Sequence, residues 1–217
     1  MRRHADLLAV ALLSALLALW SNRWSDADLT SVAYFFDAAT GSFPLRRQWL
    51  LSAVLHDGLK WLAVLVWAAL LAGWAALRVR GAADDLRRRL VFVLVASLLA
   101  VIAVNVARAQ SAHSCPWYLD AFGGQGQFFR LLDMRPAEPG QGRCLPSGHA
   151  ATAFMWMALL PVLAGAQRRW VLAGVLLLGG LAGAVQVVRG AHFPSHILLS
   201  AALSTLVVWV CAVLARK

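Results

Sequence analysis

Six apolar stretches, at about 7–20, 61–77, 90–107, 150–166, 170–188 and 197–215, leave this chain few solvents to fold in other than a lipid bilayer. Most approach the ~17 to 25 residues that a helix needs to cross the hydrocarbon core. Leu and Ala dominate them and period-two alternation is missing, so helices are expected rather than a barrel. The expected fold class is all-α: a polytopic membrane protein of six transmembrane helices with an outer interfacial helix or lid. Short links between the spans make residues 1–217 a single domain. With 61% of residues hydrophobic and only 14% charged, the composition excludes an ordinary soluble domain.

The first stretch follows Met1-Arg2-Arg3-His4, as a signal peptide would, but no convincing small-x-small cleavage site comes after it and Trp20 reads as an interfacial anchor. If six spans alternate, Arg2, Arg3, Arg78, Arg80, Arg87, Arg88, Arg89, Arg168, Arg169, Arg216 and Lys217 share one side. The positive-inside rule makes that side, with both termini, cytoplasmic. Topology therefore accounts for most of the net charge of +10, and no nucleic acid partner is implied. The basic loop 78–89 would lie against anionic headgroups.

Two outward segments are long. The first, 21–60, ends in an apolar run carrying His56, Asp57 and Lys60, which reads equally as an interfacial anchor or as a substrate contact. The second, 108–145, is rich in Gly, Pro and aromatics, including Trp117, Tyr118, Phe122, Phe128 and Phe129, and reads as a lid.

Chemistry is indicated by a convergence. Span three ends outside at Arg108, span four opens at Pro146-Ser147-Gly148-His149, and Arg189-Gly190-Ala191-His192-Phe193-Pro194-Ser195-His196 follows span five. Any one of these polar groups could be snorkelling; together they imply a site. Ser147 is a natural N-cap, and the free N–H groups after it form an anion site that Gly148 lets a ligand approach closely. Arg108 and Arg189 suit phosphoryl oxygens, while one histidine can attack phosphorus and another protonate the leaving oxygen. Zinc held by His113, His149, His192 and His196 is a competing reading, but no HExxH-like pair or carboxylate pattern accompanies them.

The blocks Cys144-Leu145-Pro146-Ser147-Gly148-His149 and Arg189 to His196, in that order across six spans, resemble the second and third signature motifs of the type-2 phosphatidic acid phosphatase superfamily. The resemblance covers essentially the whole membrane domain. It implies metal-free removal of phosphate from lipid phosphates or diphosphates through a phosphohistidine, with no cofactor and no obligatory metal. It also implies that His192 is the nucleophile, His149 the general acid, and Ser147 with Gly148 the phosphate cradle. In the family's first motif a lysine is followed, after six intervening residues, by Arg-Pro; here Arg108 and Cys115-Pro116 keep that register. Placing the motif on Arg135-Pro136 instead would put Phe128 at the lysine position, in mid-loop. Three departures stand out: Cys115 and Gln186 occupy arginine positions, and His196 occupies that of an aspartate. Arg189 is expected to replace the arginine lost at Gln186, and Arg135 or Arg143 the one lost at Cys115. These changes resemble a variant subgroup with Cys-Pro and Gly-Ala-His-x3-His motifs.

The expected function is thus a lipid phosphate or diphosphate phosphatase working at the outer leaflet. Catalytic residues are His192, His149 and His196; phosphate-binding residues are Arg108, Ser147, Gly148, Arg189, Gln186, Arg143 and Arg135. A lipid phosphotransferase using the same phosphohistidine, or a non-catalytic phospholipid-binding or transport protein, remain alternatives. The expected setting is a bacterial inner membrane, with the site periplasmic and the partners limited to the lipid substrate and surrounding lipids. In that oxidising compartment Cys115 and Cys144 are expected to form a disulfide tying the lid to the helix of His149.

Overall fold

In the computed structural model, residues 4–81 and 84–215 are described. Arg2, Arg3, Arg216 and Lys217, used above for orientation, lie outside them. The described chain is mainly helical, with isolated bridges at Asp37–Ser42 and Leu119–Gly126 but, among the described residues, no strand. Its main helices are α1 (Ala5–Leu19, continued by a wider turn over Trp20–Trp24), α2 (Ala27–Ala33), α3 (Leu50–Val79), α4 (Asp84–Gln110), α5 (Gly148–Phe154, continued as a 3₁₀ helix over Met155–Val162), α6 (Gly165–Val188) and α7 (Pro194–Leu214).

Five of these, α1 with its continuation, α3, α4, α6 and α7, are long and apolar enough to cross a membrane, and Gly148–Val162 is a shorter apolar helix. The protein is an integral membrane protein. The fourth apolar stretch, expected to run to residue 166, stops at Val162 because Pro161 lacks an N–H and Gly165, at φ 54°, starts α6 five residues before Trp170. Its second half is 3₁₀, and the larger rise of that helix, ~2 Å per residue, partly makes up for the missing turn. Residues 50–60 are continuous with the second span, the first nine of them wound as a π-helix.

Large side chains point outward and small or polar ones inward. Leu12, Leu13, Leu16, Leu62, Leu65, Leu177 and Leu181 are exposed, whereas Ser97, Ser200, Ser204, Thr205 and Gln186 are buried. That inversion suits a lipid solvent, in which close helix packing relies on small residues. At Gly179 an added Cβ would fall 2.3 Å from the Phe154 ring, and at Gly183 2.5 Å from Ile197, so these glycines let α6 close on α5 and α7. The core gathers Leu7, Val93, Ala96, Phe154, Met157, Val175, Ile197 and Val208 from α1, α4, α5, α6 and α7.

At one end of the bundle Arg168 donates from Nε and Nη2 to the two Asp6 oxygens, at 2.9 and 2.7 Å, and Arg89 reaches the Val162 carbonyl at 3.3 Å. The opposite end carries the proposed lid, whose aromatics build a second core: Phe122 and Leu119 pack with Val32, Phe43 and Phe193. The lid is tied to the first span and closed on itself. Arg130 donates to the carbonyls of Asn22, Arg23 and Ser25, which capping of the first span leaves free, and within the lid Cys144 N–H bonds to His113 O at 3.0 Å.

Candidate active site

Helix α5 begins where the sequence places its cap. Ser147 Oγ accepts from Ala150 N–H at 3.3 Å, and Ser147 itself is anchored by its N–H on the His196 carbonyl and its own carbonyl on Ser200 Oγ. The N–H groups of Gly148 and His149 are therefore the ones left for a ligand at this helix end. A Cβ on Gly148 would stand 3.4 Å from Arg108 Nη1 and 3.3 Å from Asn105 Oδ1. The last turn of α4 thus lays the Arg108 guanidinium across the first turn of α5.

The connection from α6 to α7 brings in the rest. Gly190 takes φ 68°, and its N–H, with those of Ala191 and His192, folds back onto the carbonyls of Val187 and Gln186, closing the end of α6. Pro194 then opens α7 at its first position. Arg189 is buried and held twice, by Nη1 on Gln186 Oε1 at 3.3 Å and by Nε on the Arg46 carbonyl at 3.1 Å. Gln186, expected to touch phosphate, acts here on that guanidinium. Burial lowers the Arg189 pKa from its ordinary value; Asp57 counters this and Arg46 adds to it.

His192 Nδ1 lies 3.3 Å from both Cys144 Sγ and His196 Nδ1. Cys144 is disulfide-bonded to Cys115, so its sulfur carries no proton and can only accept. An N–H on His192 Nδ1 satisfies both neighbours, and in that tautomer Nε2 bears the lone pair. Burial first, then the charges of His149 and Arg108, push the His192 imidazole down to about 3, so it is neutral near pH 7. Sγ of the two cysteines and a ring nitrogen of His192 lie within 4.8 Å of one another, but bonded sulfurs are not thiolate ligands for a metal. On the far side of His196 is a small cavity, with room for about one water, bordered by Asn22, His113 and Gln127.

Of two further residues of the constellation, the sequence gives no readable signal for Asp28 and a divided one for His56. Asp28, 1% exposed, accepts from Ser21 Oγ, Asn22 Nδ2, and both the N–H and Oγ of Ser195, tying α1 and α2 to the start of α7. His56, which the sequence left between anchor and substrate contact, stacks on His149 with ring centroids 3.3 Å apart. The lid arginines differ from the others: Arg135 and Arg143 are exposed, and among the described residues neither side chain bonds to these histidines.

From His149 an apolar cavity of about 200 Å³ runs between α3, α5 and α6, bordered by Leu55, Leu59, Leu62, Val66, Trp156 and Leu178. Residues 89–217, more than half of the chain, match the family model described as PAP2 superfamily. No curated protein and no solved structure matches the chain.

Proposed function

The chain belongs to the PAP2 superfamily, whose members are generally phosphatases, and from that premise we propose that it hydrolyses a lipid phosphate or diphosphate through a phosphohistidine on His192. The observation that carries this reading is the environment of His192: its Nδ1 stands 3.3 Å from both a disulfide sulfur, which can only accept, and His196 Nδ1, a pair of contacts that an N–H on Nδ1 satisfies, with Nε2 then bearing the lone pair. In the first step the Nε2 lone pair attacks phosphorus, the bond to the lipid oxygen breaks, and that oxygen takes a proton from His149. In the second, water attacks the phosphohistidine, gives its proton to His149 and releases phosphate and His192. Arg108, Arg189, Gly148 and the α5 N-terminus hold the phosphoryl oxygens, whose charge persists through both steps. His196 keeps His192 in the attacking tautomer.

The apolar cavity at His149 supports a lipid over a soluble phosphate ester, because it offers a chain a dry path directly from the proton donor. The orientation drawn from the basic residues would place this site in the outer leaflet. Release of phosphate from a lipid phosphate panel, with rapid quenching under alkaline conditions, tests the proposal: labelled phosphate should be trapped on the wild-type protein and not on His192→Ala. Equal labelling of both would reject His192. Labelled enzyme that passes phosphate to a second lipid rather than to water would establish the phosphotransferase alternative.

A further inference from the structure

The imidazoles of His56 and His149 come from different helices yet lie face to face, their planes only 8° apart at a centroid distance of 3.3 Å. They are also hydrogen-bonded: His149 Nε2 is 2.9 Å from the His56 carbonyl oxygen, a contact that an N–H on Nε2 satisfies. The mobile proton of His149 is then the one on Nδ1. His56 Nδ1 in turn stands 2.9 Å from Asp57 Oδ1, so its N–H is directed onto a carboxylate.

Two imidazolium rings cannot both be charged at this separation, since like charges this close each disfavour the other. The stack holds one proton at a time. Asp57 aside, the charged groups acting on it are cations, Lys60 on its own helix and Arg189 on the α6–α7 connection; His192 on that connection is itself neutral near pH 7 and feels Arg108 of α4. Asp57 is the carboxylate that acts on His56, His149 and Arg189 together. Without it a proton in this corner would meet positive charge from every side.

We infer that His56 and Asp57 are a positioning pair for His149: the His56 ring and carbonyl fix the plane and tautomer of His149, and the Asp57 carboxylate keeps a proton available on the stack for the leaving group. This rests on the reading of His149 as the proton donor. The pair comes from residues 50–60, outside the segment that matches the family, and so supplies from another helix some of the negative charge that His196 does not provide.

The test is the pH dependence of kcat for the full chain in detergent, with a lipid monophosphate and with an aryl phosphate of good leaving group. Asp57→Asn removes charge at an exposed side chain with little change of shape, so folding is not at issue. It is expected to move the alkaline limb of kcat toward acid by half a pH unit or more on the lipid substrate, with KM changed less than twofold and little effect on the aryl phosphate. His56→Phe keeps a flat ring and the carbonyl but cannot titrate or bond to Asp57. Adding Asp57→Asn to it should then shift the limb less than Asp57→Asn does alone, because the part of the effect carried through His56 is already gone. His192 labelling reports that each variant retains a working nucleophile. Wild-type pH profiles in both single variants, while His149→Ala slows turnover, would overturn the pair and leave the role of His149 standing. Full turnover of His149→Ala would overturn that role and the pair with it.

Discussion

Replacing His196 probes the step that the site geometry describes most directly. In His196→Ala the Nδ1–H of His192 loses its nitrogen acceptor at 3.3 Å and keeps only the disulfide sulfur, a weak one. Leaving a buried donor so poorly satisfied costs about 1 to 3 kcal/mol. The attacking tautomer carries that cost because the alternative, with its proton on Nε2, has no donor at Nδ1 to satisfy. At about 1.4 kcal/mol per tenfold, phosphoenzyme formation should slow about 5- to 150-fold. His196→Asp should behave differently, since a carboxylate accepts the same hydrogen bond and adds a countercharge for the histidine as it attacks; its rate should equal or exceed that of wild type. Rapid-quench measurement of the labelling rate, rather than of overall turnover, isolates this step. Wild-type labelling by His196→Ala would refute the tautomer argument and reduce His196 to a packing residue at the start of α7.

The buried Asp28 should be a stability residue: Asp28→Ala strands donors from Ser21, Asn22 and Ser195, a loss of about 3 kcal/mol or more that a lower thermal midpoint in detergent would register. Because His192 is held at about 3 against an ordinary value of 6.5, it stays unprotonated between about pH 5 and 8, and the labelling amplitude should be flat across that range. The same shift predicts stability that is fully present above 6.5 and lost as pH falls toward about 3, since only the unfolded chain takes up the proton early; unchanged stability on acidification would contradict the burial of His192. Reducing the Cys115–Cys144 bridge, which spans a sequence separation of 29, should remove about 3 to 4 kcal/mol of constraint on the unfolded chain. Thiol labelling of unreduced protein should then modify Cys211 alone, and modification of all three cysteines would show the bridge to be open.

What the sequence determined by itself is what local chemistry decides. Hydropathy located the apolar helices because an unpaired backbone cannot be left in hydrocarbon, and Ser147 before Gly148 marked the start of α5 because a cap is a property of a few consecutive residues. Helix ends were less legible: α6 begins at Gly165 and α3 at Leu50, where charged or polar residues stay helical because the helix continues beyond the apolar core. Only the tertiary structure decided which face meets which. No period or motif brings His56 onto His149, lays Arg108 over Gly148, or carries Asp28 to Ser195, since each contact joins helices far apart in the chain and depends on how closely small residues such as Gly179 and Gly183 let those helices pack.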